Sequence, residues 1–417
     1  MSRLPPANEP RVIASHGAKP RQAAPPKIMS AAAGSSATLL TQLGRPDAGW
    51  ANTPIVKGST YLFDSLAHLR STRAKREQER VLSYGARGNE TLHALEDAIT
   101  TLEGGYRAKL FPTGLAAIAI TLLAYLKSGD HVLISDSVYE PVRKFADAQL
   151  VNAGISYSYF DATSDDWADA LQSNTKMLYV ESPGSLLYDM LDLPAMAAVC
   201  QPRGILLCAD NTWGSSINYC PLKLGADISV IAATKYLGGH SDVMMGAVTT
   251  SQAAFPAIEQ ASINFGQTVG SEDAFLVLRG LRTLDLRLQR HSESALDIAD
   301  WLAQHPAVRT VFHPARREDP NHALWKRDCL GSNGLLSIEF QPELQAEAIE
   351  AAIDALQIFG IGSSWGGYES LALPIDIKRT RFASNPGQVG YLLRLHIGLE
   401  DPVDLKADLR NLLTALA

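Results

Sequence analysis

Cysteine is scarce in this chain, with four among 417 residues, and no two cysteines form a C-x-x-C pair. Three of the four lie in or beside apolar stretches, which is typical of free buried thiols in a reducing compartment. Long apolar runs are missing too, since the longest, from Leu115 to Leu126, is too short to cross a bilayer. These absences argue against a disulfide framework and against a membrane-spanning protein.

An excess of charge is also missing. The formal net charge of −7 gives no reason to expect a nucleic-acid partner. The ten histidines are scattered and predict no metal site, and His240 is expected to be structural. No G-x-G-x-x-G follows a first strand, which argues against a nicotinamide-dependent oxidoreductase. The length suffices for a large domain and a smaller one, and the composition is that of an ordinary globular enzyme.

The first 36 residues differ from the rest of the chain. They are rich in Ala and Pro, contain several Lys and Arg, and show no apolar period, so we expect a disordered tail over 1–36. The tail has no apolar core of a secretory signal, whereas its basic character leaves an organelle transit peptide open. We expect a bacterial cytoplasmic enzyme.

Strand and helix patterns alternate from about residue 107. Helical patterns at 115–126 and 141–153 lie between apolar strand patterns, which predicts an α/β fold with a mostly parallel sheet of seven strands covered on both faces. A long amphipathic pattern over 271–304 leads to a smaller C-terminal α+β domain. Helices are expected there near 343–356 and 402–417, and strands at 334–339 and 392–396. The seven predicted strands of the large sheet are 108–111, 131–135, 156–160, 176–181, 205–210, 228–233 and 246–250.

A lysine closes the apolar, β-branched stretch that begins at Ile228. Lys235 then stands at the carboxyl end of a predicted parallel strand, where α/β proteins bind ligands and where a lysine can form a Schiff base with a carbonyl cofactor. The alternative is a lysine whose stem packs along a strand end while its amine stays in water.

An aspartate ends the preceding predicted strand, so its carboxylate is expected at the same sheet edge. Pyridoxal phosphate needs this pair, because a lysine carries its aldehyde and a carboxylate keeps its pyridine nitrogen protonated. Asp210 could instead cap a following helix, for which Asn211 and Thr212 are also suited. The two segments together favour the cofactor.

Two further segments suit the same ligand. In Phe111-Pro-Thr-Gly114-Leu115 a strand stops and an Ala-rich helix begins, whose free N–H groups suit a phosphate dianion. Thr234 could add a hydroxyl. Tyr139 follows a strand at the same edge, so its ring could stack on a pyridine, although alone it would be interpreted as a packing residue.

Nine ordered motifs resemble the Cys/Met-metabolism family of pyridoxal-phosphate enzymes over about residues 37–417. Two segments are similar to the β-lyase branch of that family. One is the segment that contains Trp365, and the other is Gly184-Ser185, where other branches usually carry Thr-Asn. The resemblance implies a fold-type-I, PLP-dependent transferase-like fold, with an N-terminal arm over 37–95, a cofactor domain over 96–285 and a C-terminal domain over 286–417. The motifs are Ser83-Tyr84-Gly-Ala-Arg87-Gly, Leu102-Glu-Gly-Gly, Phe111-Pro-Thr-Gly114, Val180-Glu-Ser-Pro-Gly184-Ser185, Ala209-Asp210-Asn-Thr, Ala233-Thr-Lys235-Tyr, Arg279-Gly-Leu-Arg-Thr-Leu, Ser363-Ser-Trp365-Gly-Gly-Tyr-Glu-Ser and Arg394-Leu-His-Ile-Gly-Leu-Glu.

The resemblance implies a role for each matched residue. Lys235 would carry the cofactor as a Schiff base and move the α-proton, and Tyr139 would be the second catalytic residue and would stack on the ring. Arg394 and Trp365 could instead be a structural ion pair and a core residue. The cofactor would be bound by Gly114, Leu115, Tyr139, Asp210, Thr212, Ala232, Thr234 and Lys235, with Tyr84 from a neighbouring subunit. The substrate would be bound by Arg394, Ser364, Trp365, Ser185 and Arg87.

The implied reaction is β-elimination on an amino-acid thioether such as L-cystathionine, which yields homocysteine, pyruvate and ammonia on the route to methionine. Three alternatives stay open: a cysteine S-conjugate β-lyase, a γ-lyase or γ-synthase of the same family, and a regulator without turnover. Intact Lys235, Asp210 and Arg394 argue against the last. The resemblance also implies a homo-oligomer, a dimer of dimers, in which residues 41–64 and the Tyr84 loop complete a neighbour's site.

Two positions depart from the family pattern. Ala86 stands where relatives usually carry an arginine, two residues after the tyrosine. Arg143 and Lys144 follow Tyr139, where some β-lyases have an acid facing the far end of the substrate. A basic pair would not attract a distal ammonium group, unless Lys144 points to solvent.

Overall fold

The computed structural model describes residues 35–46, 49–76, 79–376 and 390–416. Its strands are β1 (Arg107–Phe111), β2 (His131–Ser135), β3 (Ser156–Phe160), β4 (Thr175–Glu181), β5 (Leu206–Asp210), β6 (Ile228–Ile231), β7 (Gly246–Thr250), β8 (Val308–Phe312), β9 (Leu335–Phe340), β10 (Gly360–Ile361), β11 (Leu371–Ile375) and β12 (Leu392–His396). Its helices are α1 (Ser36–Gln42), α2 (Leu66–Lys75), α3 (Glu90–Glu103), α4 (Gly114–Tyr125), α5 (Glu140–Phe145), α6 (Leu193–Cys200), α7 (Phe255–Asn264), α8 (Ser271–Leu281), α9 (Leu284–Leu302), α10 (His322–Asp328), α11 (Ala346–Asp354) and α12 (Pro402–Thr414). None of the helices in these ranges is long and apolar enough to cross a membrane.

The first sheet confirms the predicted α/β fold. It has seven strands in the order β1-β7-β6-β5-β4-β2-β3, and only β7 runs antiparallel to its neighbours. The predicted strand bounds agree within two residues, the largest difference being that β6 ends at Ile231 rather than at residue 233. The chain leaves the sheet there because residues 232–235 form the turn that carries the lysine.

Helices cover both faces of this sheet, as its nearly continuous apolar strands require. Val132 and Met177 pack with α4, α5 and α7 on one face. Leu133 and Leu178, their immediate neighbours along the strands, pack with α6 on the other face. Successive side chains of a strand point to opposite faces, so apolar residues at consecutive positions bury both.

The second sheet has five strands in the order β10-β11-β12-β9-β8, with α9, α11 and α12 packed against it. The pattern over 271–304 is two helices rather than one, since α8 ends at Leu281 and α9 begins at Leu284. Gly280 lies so close to residues 237 and 238 that a Cβ would be 2.3 Å from the Leu237 carbonyl oxygen. The break therefore lies where the helix packs against residues 237 and 238, which follow the turn that carries the lysine.

The predicted division into segments stays a prediction. Residues 1–34 of the expected tail lie outside the described residues, and α1 begins at Ser36, just before the expected start of the arm. The expected boundaries at 95 and 285 fall inside α3 and α9, so continuous helices join the segments on either side. The helix expected over 141–153 begins as α5 and continues as a π-helical stretch, Ala146–Leu150.

Candidate active site

Asp210 is a buried carboxylate at the carboxyl end of β5. Its Oδ1 accepts the Thr212 backbone N–H at 2.9 Å and the Thr212 hydroxyl at 2.5 Å. Burial raises the pKa of the Asp210 carboxyl, and the Thr212 and Tyr179 donors offset only part of that rise. Among the described residues no basic side chain acts on it. Because a buried carboxylate is costly without a cation, Asp210 suits a protonated nitrogen of a ligand.

Replacing Asp210 by asparagine is expected to stabilise the cofactor-free protein by roughly 1 kcal/mol or more at neutral pH, because it removes an unpaired buried charge. The folded protein raises the pKa of this carboxyl above its ordinary value of 3.8. The folded state therefore loses stability as the pH rises from that value through the raised pKa, and the gain from asparagine should grow over the same window. Urea unfolding at pH 4 and pH 8 measures both. A gain that does not grow with pH would contradict the assignment.

Tyr139 and Glu181 lie at the same edge of the sheet. Glu181 ends β4 in register with Asp210 on β5, and its Oε2 accepts the Tyr139 backbone N–H at 2.7 Å. Burial, followed by the charges of Glu181 and Asp210, raises the pKa of the Tyr139 phenol. The Tyr139 ring is half-exposed, so it can present a face to a ligand above Asp210. The sequence analysis missed Glu181, although an acid that ends an apolar strand beside Asp210 is a usable signal.

Lys235 lies four residues beyond β6. Its Nζ donates to Ser364 Oγ at 2.7 Å and lies 5.2 Å from the centre of the Trp365 ring. Burial, with a smaller effect of the Arg394 charge, lowers the pKa of the Lys235 amine to about 8. A substantial share of the amine is therefore neutral near physiological pH. Both Schiff-base formation and proton removal require this form.

Arg394 is buried on β12. Its Nη2 donates to the carbonyl oxygens of Gly362, Ser363 and Ser364 at 3.3, 3.2 and 2.9 Å, and its buried Nε has no partner. Burial lowers the pKa of the guanidinium, and no carboxylate in the described ranges acts on it. The structural ion pair considered from the sequence is therefore absent there. An unpaired guanidinium suits bidentate binding of a ligand carboxylate.

Residues 363–370, which we call the 363–370 loop, join these two groups because Ser364 accepts from Lys235 through Oγ and from Arg394 through its carbonyl. Gly366 has φ +88°, and a Cβ there would lie 2.8 Å from the Tyr236 nitrogen. Only glycine permits this approach. The loop is held at its far end, where Ser370 donates its N–H and hydroxyl to Glu400 at 2.8 Å each.

The N-terminus of α4 lies beside the lysine turn. The Thr113 hydroxyl caps the helix by accepting the Ala116 N–H at 3.0 Å, while the N–H groups of Gly114 and Leu115 donate no hydrogen bond within the described residues. A Cβ at Gly114 would lie 2.8 Å from Ala232 Cβ, so the helix end touches the end of β6. Free N–H groups at a helix N-terminus favour an anion such as phosphate.

Two threonines brace this region. The Thr212 hydroxyl, besides donating to Asp210, accepts the Ala232 N–H at 2.9 Å. The Thr234 hydroxyl donates to the Met245 carbonyl at 3.1 Å and accepts the Met245 N–H at 2.9 Å. The single hydroxyl hydrogen of Thr234 is therefore donated to the carbonyl of Met245, the residue directly before β7, and is not free to bind a phosphate.

These groups fit pyridoxal phosphate. An amine with a pKa of about 8 suits the aldehyde, an unpaired buried carboxylate suits the ring nitrogen, and free helical N–H groups suit the phosphate. The unpaired Arg394 guanidinium suits the carboxylate of an amino acid. The site thus has an anion and a cation that both lack an oppositely charged partner among the described residues, as a cofactor and an amino-acid substrate would require.

The remaining predicted residues lie around this centre or away from it. Ser185 donates its backbone N–H to the Ser137 carbonyl at 2.7 Å, beside Tyr139. Tyr84 is 55% exposed and forms an isolated bridge with Thr60. Arg87 lines a different cavity, which Ala86, Glu96 and Lys109 also line. The structure does not place Tyr84 and Arg87 with the Lys235 group of the same chain.

The position of Lys144 answers one of the two departures from the family pattern, the basic pair after Tyr139. Its side chain is 71% exposed and pairs with Glu140 at 2.9 Å, one helical turn earlier. The amine therefore points to solvent in this chain, and it gives no argument against a substrate with a distal ammonium group.

Comparison with known proteins shows the family to which this chain belongs. The family model described as Cys/Met metabolism PLP-dependent enzyme matches residues 37–414. The chain is 43% identical to a cystathionine beta-lyase of Bordetella avium, over 91% of this chain and 98% of the relative. It is 40% identical to cystathionine beta-lyase MetC of Escherichia coli K12, over 87% and 93%.

The fold is also that of a solved relative. A crystal structure of cystathionine gamma synthase from Xanthomonas oryzae pv. oryzae, in complex with aminoacrylate and cysteine, superposes with a TM-score of 0.83 at 33% identity, covering 92% of this chain and 98% of that one. Similarity therefore extends to both the β and γ branches. The chain belongs to the Cys/Met metabolism family of PLP-dependent enzymes, and its cofactor is pyridoxal 5'-phosphate.

Proposed function

We propose that this enzyme cleaves L-cystathionine by β-elimination and releases homocysteine, pyruvate and ammonia. The observation that carries the proposal is the junction at Ser364, where the 363–370 loop contacts both the Lys235 amine and the unpaired Arg394 guanidinium. A base and a carboxylate-binding guanidinium that contact the same loop can hold an amino acid with its Cα–H near the base. The relatives named cystathionine beta-lyase support the choice of substrate.

In the proposed reaction Arg394 binds the substrate α-carboxylate and Lys235, as the neutral amine, removes the α-proton. The cofactor, when bound, supplies a conjugated ring that accepts the electron pair left on Cα. Asp210 would keep a proton on the ring nitrogen, the Tyr139 ring would stack on the cofactor, and the Gly114 and Leu115 N–H groups would bind the phosphate. Ser364 accepts a hydrogen bond from Lys235 Nζ and so orients the amine.

The bond that breaks is Cβ–S. Its electron pair leaves with sulfur, and the thiolate takes up a proton to become homocysteine. The remaining three-carbon fragment is released as 2-aminoacrylate, which water converts to pyruvate and ammonia. The lysine ammonium formed in the first step would donate the proton to the departing thiolate, and its hydrogen bond to Ser364 would hold it in place.

Other reactions of the family compete with this proposal. A γ-lyase would release 2-oxobutanoate, a γ-synthase would join a thiol to an activated homoserine, and a cysteine S-conjugate lyase would give pyruvate from other thioethers. Trp365 favours the β-lyase, because its segment is similar to that branch and its ring lies against the Lys235 amine.

Product analysis tests the proposal. The purified enzyme, loaded with pyridoxal phosphate, is incubated with L-cystathionine, and pyruvate, 2-oxobutanoate and free thiol are quantified. We expect pyruvate and homocysteine in equal amounts, and neither from Lys235→Ala. Dominant 2-oxobutanoate would reject β-elimination, and pyruvate from S-methylcysteine but not from cystathionine would reject the substrate.

We also propose that the enzyme is an oligomer. The minimum unit is a dimer, and the resemblance to the family favours a dimer of dimers. In this assembly Tyr84 and Arg87 contribute to the active site of a neighbouring subunit. Both lie apart from the Lys235 group of their own chain. The same N-terminal region exposes Trp50 and Leu62, which are 84% and 85% exposed. Such apolar exposure is typical of a surface that another subunit covers.

Mixing two inactive variants tests this arrangement. Tyr84→Ala and Lys235→Ala are each expected to be inactive, but a mixed dimer holds one site with a native lysine and a native tyrosine from the other chain. Random exchange should restore about one quarter of the sites. Activity is measured after unfolding and refolding the mixture, with each variant refolded alone as control. Absence of recovery in mixed dimers of confirmed composition would show that Tyr84 serves its own chain.

A reducing, cytoplasmic location is proposed on the state of the cysteines. None of the four forms a disulfide, and Cys200 and Cys208 are buried. Burial raises the pKa of the Cys200 thiol to about 11. Protonated, buried thiols are unreactive, so these residues act as packing groups rather than as redox centres.

A further inference from the structure

His396 is a fully buried histidine on β12, two residues after Arg394. Its Nδ1 lies 2.9 Å from the Glu369 carbonyl oxygen, and its Nε2 lies 3.0 Å from the Gly366 nitrogen. A carbonyl can only accept and a backbone N–H can only donate, so the imidazole is neutral with its hydrogen on Nδ1. Both nitrogens are used, and both bonds go to the 363–370 loop.

The two bonds bracket the part of the loop that follows Ser364 and Trp365. Gly366 is the residue directly after Trp365, and its backbone lies against the Lys235–Tyr236 peptide. The hydrogen bond to the Gly366 N–H therefore fixes the distance between the 363–370 loop and Lys235. The positions of the Ser364 Oγ and the Trp365 ring, which lie 2.7 Å and 5.2 Å from Lys235 Nζ, depend on that distance.

The surroundings keep this histidine in one state. Its ring packs at 5.9 Å from the Tyr236 ring and 5.3 Å from the His291 ring, measured between centroids. Burial first, and then the His291, Arg394 and Lys235 groups, hold the pKa of His396 well below its ordinary range. The lowered pKa favours the neutral ring, whose Nε2 can accept a hydrogen bond, whereas a protonated ring would lose that acceptor.

We propose that His396 is a positioning residue for Lys235: its imidazole fixes the 363–370 loop through the Gly366 N–H, so that Ser364 and Trp365 hold the amine in the orientation for proton transfer. The inference rests on the proposed role of Lys235, and it holds for β- or γ-elimination alike because both begin at the α-proton.

A matched pair of variants isolates the bond to Gly366. His396→Gln places an amide oxygen near the position of Nε2 and keeps the acceptor, whereas His396→Met has nearly the same shape and no comparable acceptor. His291→Met is the control for packing. The His291 ring belongs to the same cluster, but its Nδ1 bonds the Ile397 carbonyl at 2.7 Å and its Nε2 has no partner.

The first readout needs neither cofactor nor turnover. Hydrogen exchange of the Gly366 amide, resolved by fragmentation mass spectrometry of the full-length cofactor-free protein, is expected to be slow in wild type, His396→Gln and His291→Met. Exchange should be at least tenfold faster in His396→Met, since the amide loses its acceptor. If the wild-type Gly366 amide exchanges as fast as that of exposed Tyr368, the inference is overturned without any variant.

The second readout is kinetic. In His396→Met, kcat on the enzyme's best amino-acid substrate should fall about 10- to 100-fold with KM changed less than about threefold, because the lysine is misplaced while Arg394 stays on β12. The pH at which kcat/KM rises should move upward as the loosened loop admits water to Lys235. Recovery of kcat in His396→Gln supports the positioning role.

An equal loss of kcat in His291→Met would mean that the effect comes from general packing, and it would overturn the positioning role. Dominant 2-oxobutanoate with the same ordering of variants would reject the proposed reaction but not this inference.

Discussion

Lys235→Ala is expected to lower kcat/KM by about 10³-fold or more while leaving the fold intact. General acid–base groups contribute about 10²- to 10⁴-fold, and here the same amine also holds the cofactor. The side chain is partly buried with its Nζ bonded only to Ser364 among the described residues, so its removal leaves one hydroxyl without a donor. The visible absorbance of the lysine-bound cofactor should be lost, and thermal unfolding of the cofactor-free protein should change little.

Lys144→Ala is the matched control for this prediction. Lys144 is also a lysine near the site in sequence, but it is exposed and its pairing with Glu140 is a surface ion pair. Such pairs contribute about 0–1 kcal/mol, so activity and stability should stay near wild type. Residual activity of Lys235→Ala within tenfold of wild type, with cofactor bound, would mean that another group takes the α-proton.

Arg394→Leu is expected to remove activity and to stabilise the cofactor-free protein. Truncating one partner of a buried charge pair costs about 2–5 kcal/mol in binding, so kcat/KM should fall about 10²- to 10³-fold, chiefly through KM. In the absence of substrate the guanidinium is buried without a carboxylate partner in the part of the chain that the structure describes, and replacing such a charge by an apolar side chain is often stabilising by about 1–4 kcal/mol.

The same substitution should change Lys235. The Arg394 charge is one of the two causes that lower the pKa of the amine to about 8, so its loss should raise that pKa. The pH dependence of Lys235 labelling by an amine reagent, read by mass spectrometry in the cofactor-free protein, measures the shift, with exposed Lys144 as the internal reference for labelling. Arg394→Lys keeps the positive charge but loses the planar guanidinium that binds a carboxylate through two hydrogen bonds. It should therefore restore the low pKa of Lys235 but not the substrate affinity. An Arg394→Leu protein less stable than wild type by several kcal/mol would show that the guanidinium is structural.

The five inner strands of the large sheet were predictable because each is a short, almost fully buried run with a turn at either end. The edge strands β1 and β3 are only partly buried. The smaller sheet was predicted only in part. β10 has two residues and β11 contains Pro374, which cannot donate to a ladder, so neither resembles a strand in sequence. The break between α8 and α9 was invisible because the apolar period continues through it; contact with residues 237 and 238 decides it.

The sequence by itself determined which residues end neighbouring strands, and therefore that Asp210 and Lys235 share one edge of a parallel sheet. Local periodicity of two or 3.6 residues encodes that much. Only the tertiary structure decided that Asp210 and Arg394 lack counter-ions within the described ranges, that the pKa of Lys235 falls to about 8, and that His396 hydrogen-bonds the 363–370 loop. Burial and charge pairing depend on contacts between distant segments: Lys235 and its partner Ser364 are 129 residues apart in the chain. No pattern along the chain records such a contact, because it exists only once segments far apart in the chain have packed together.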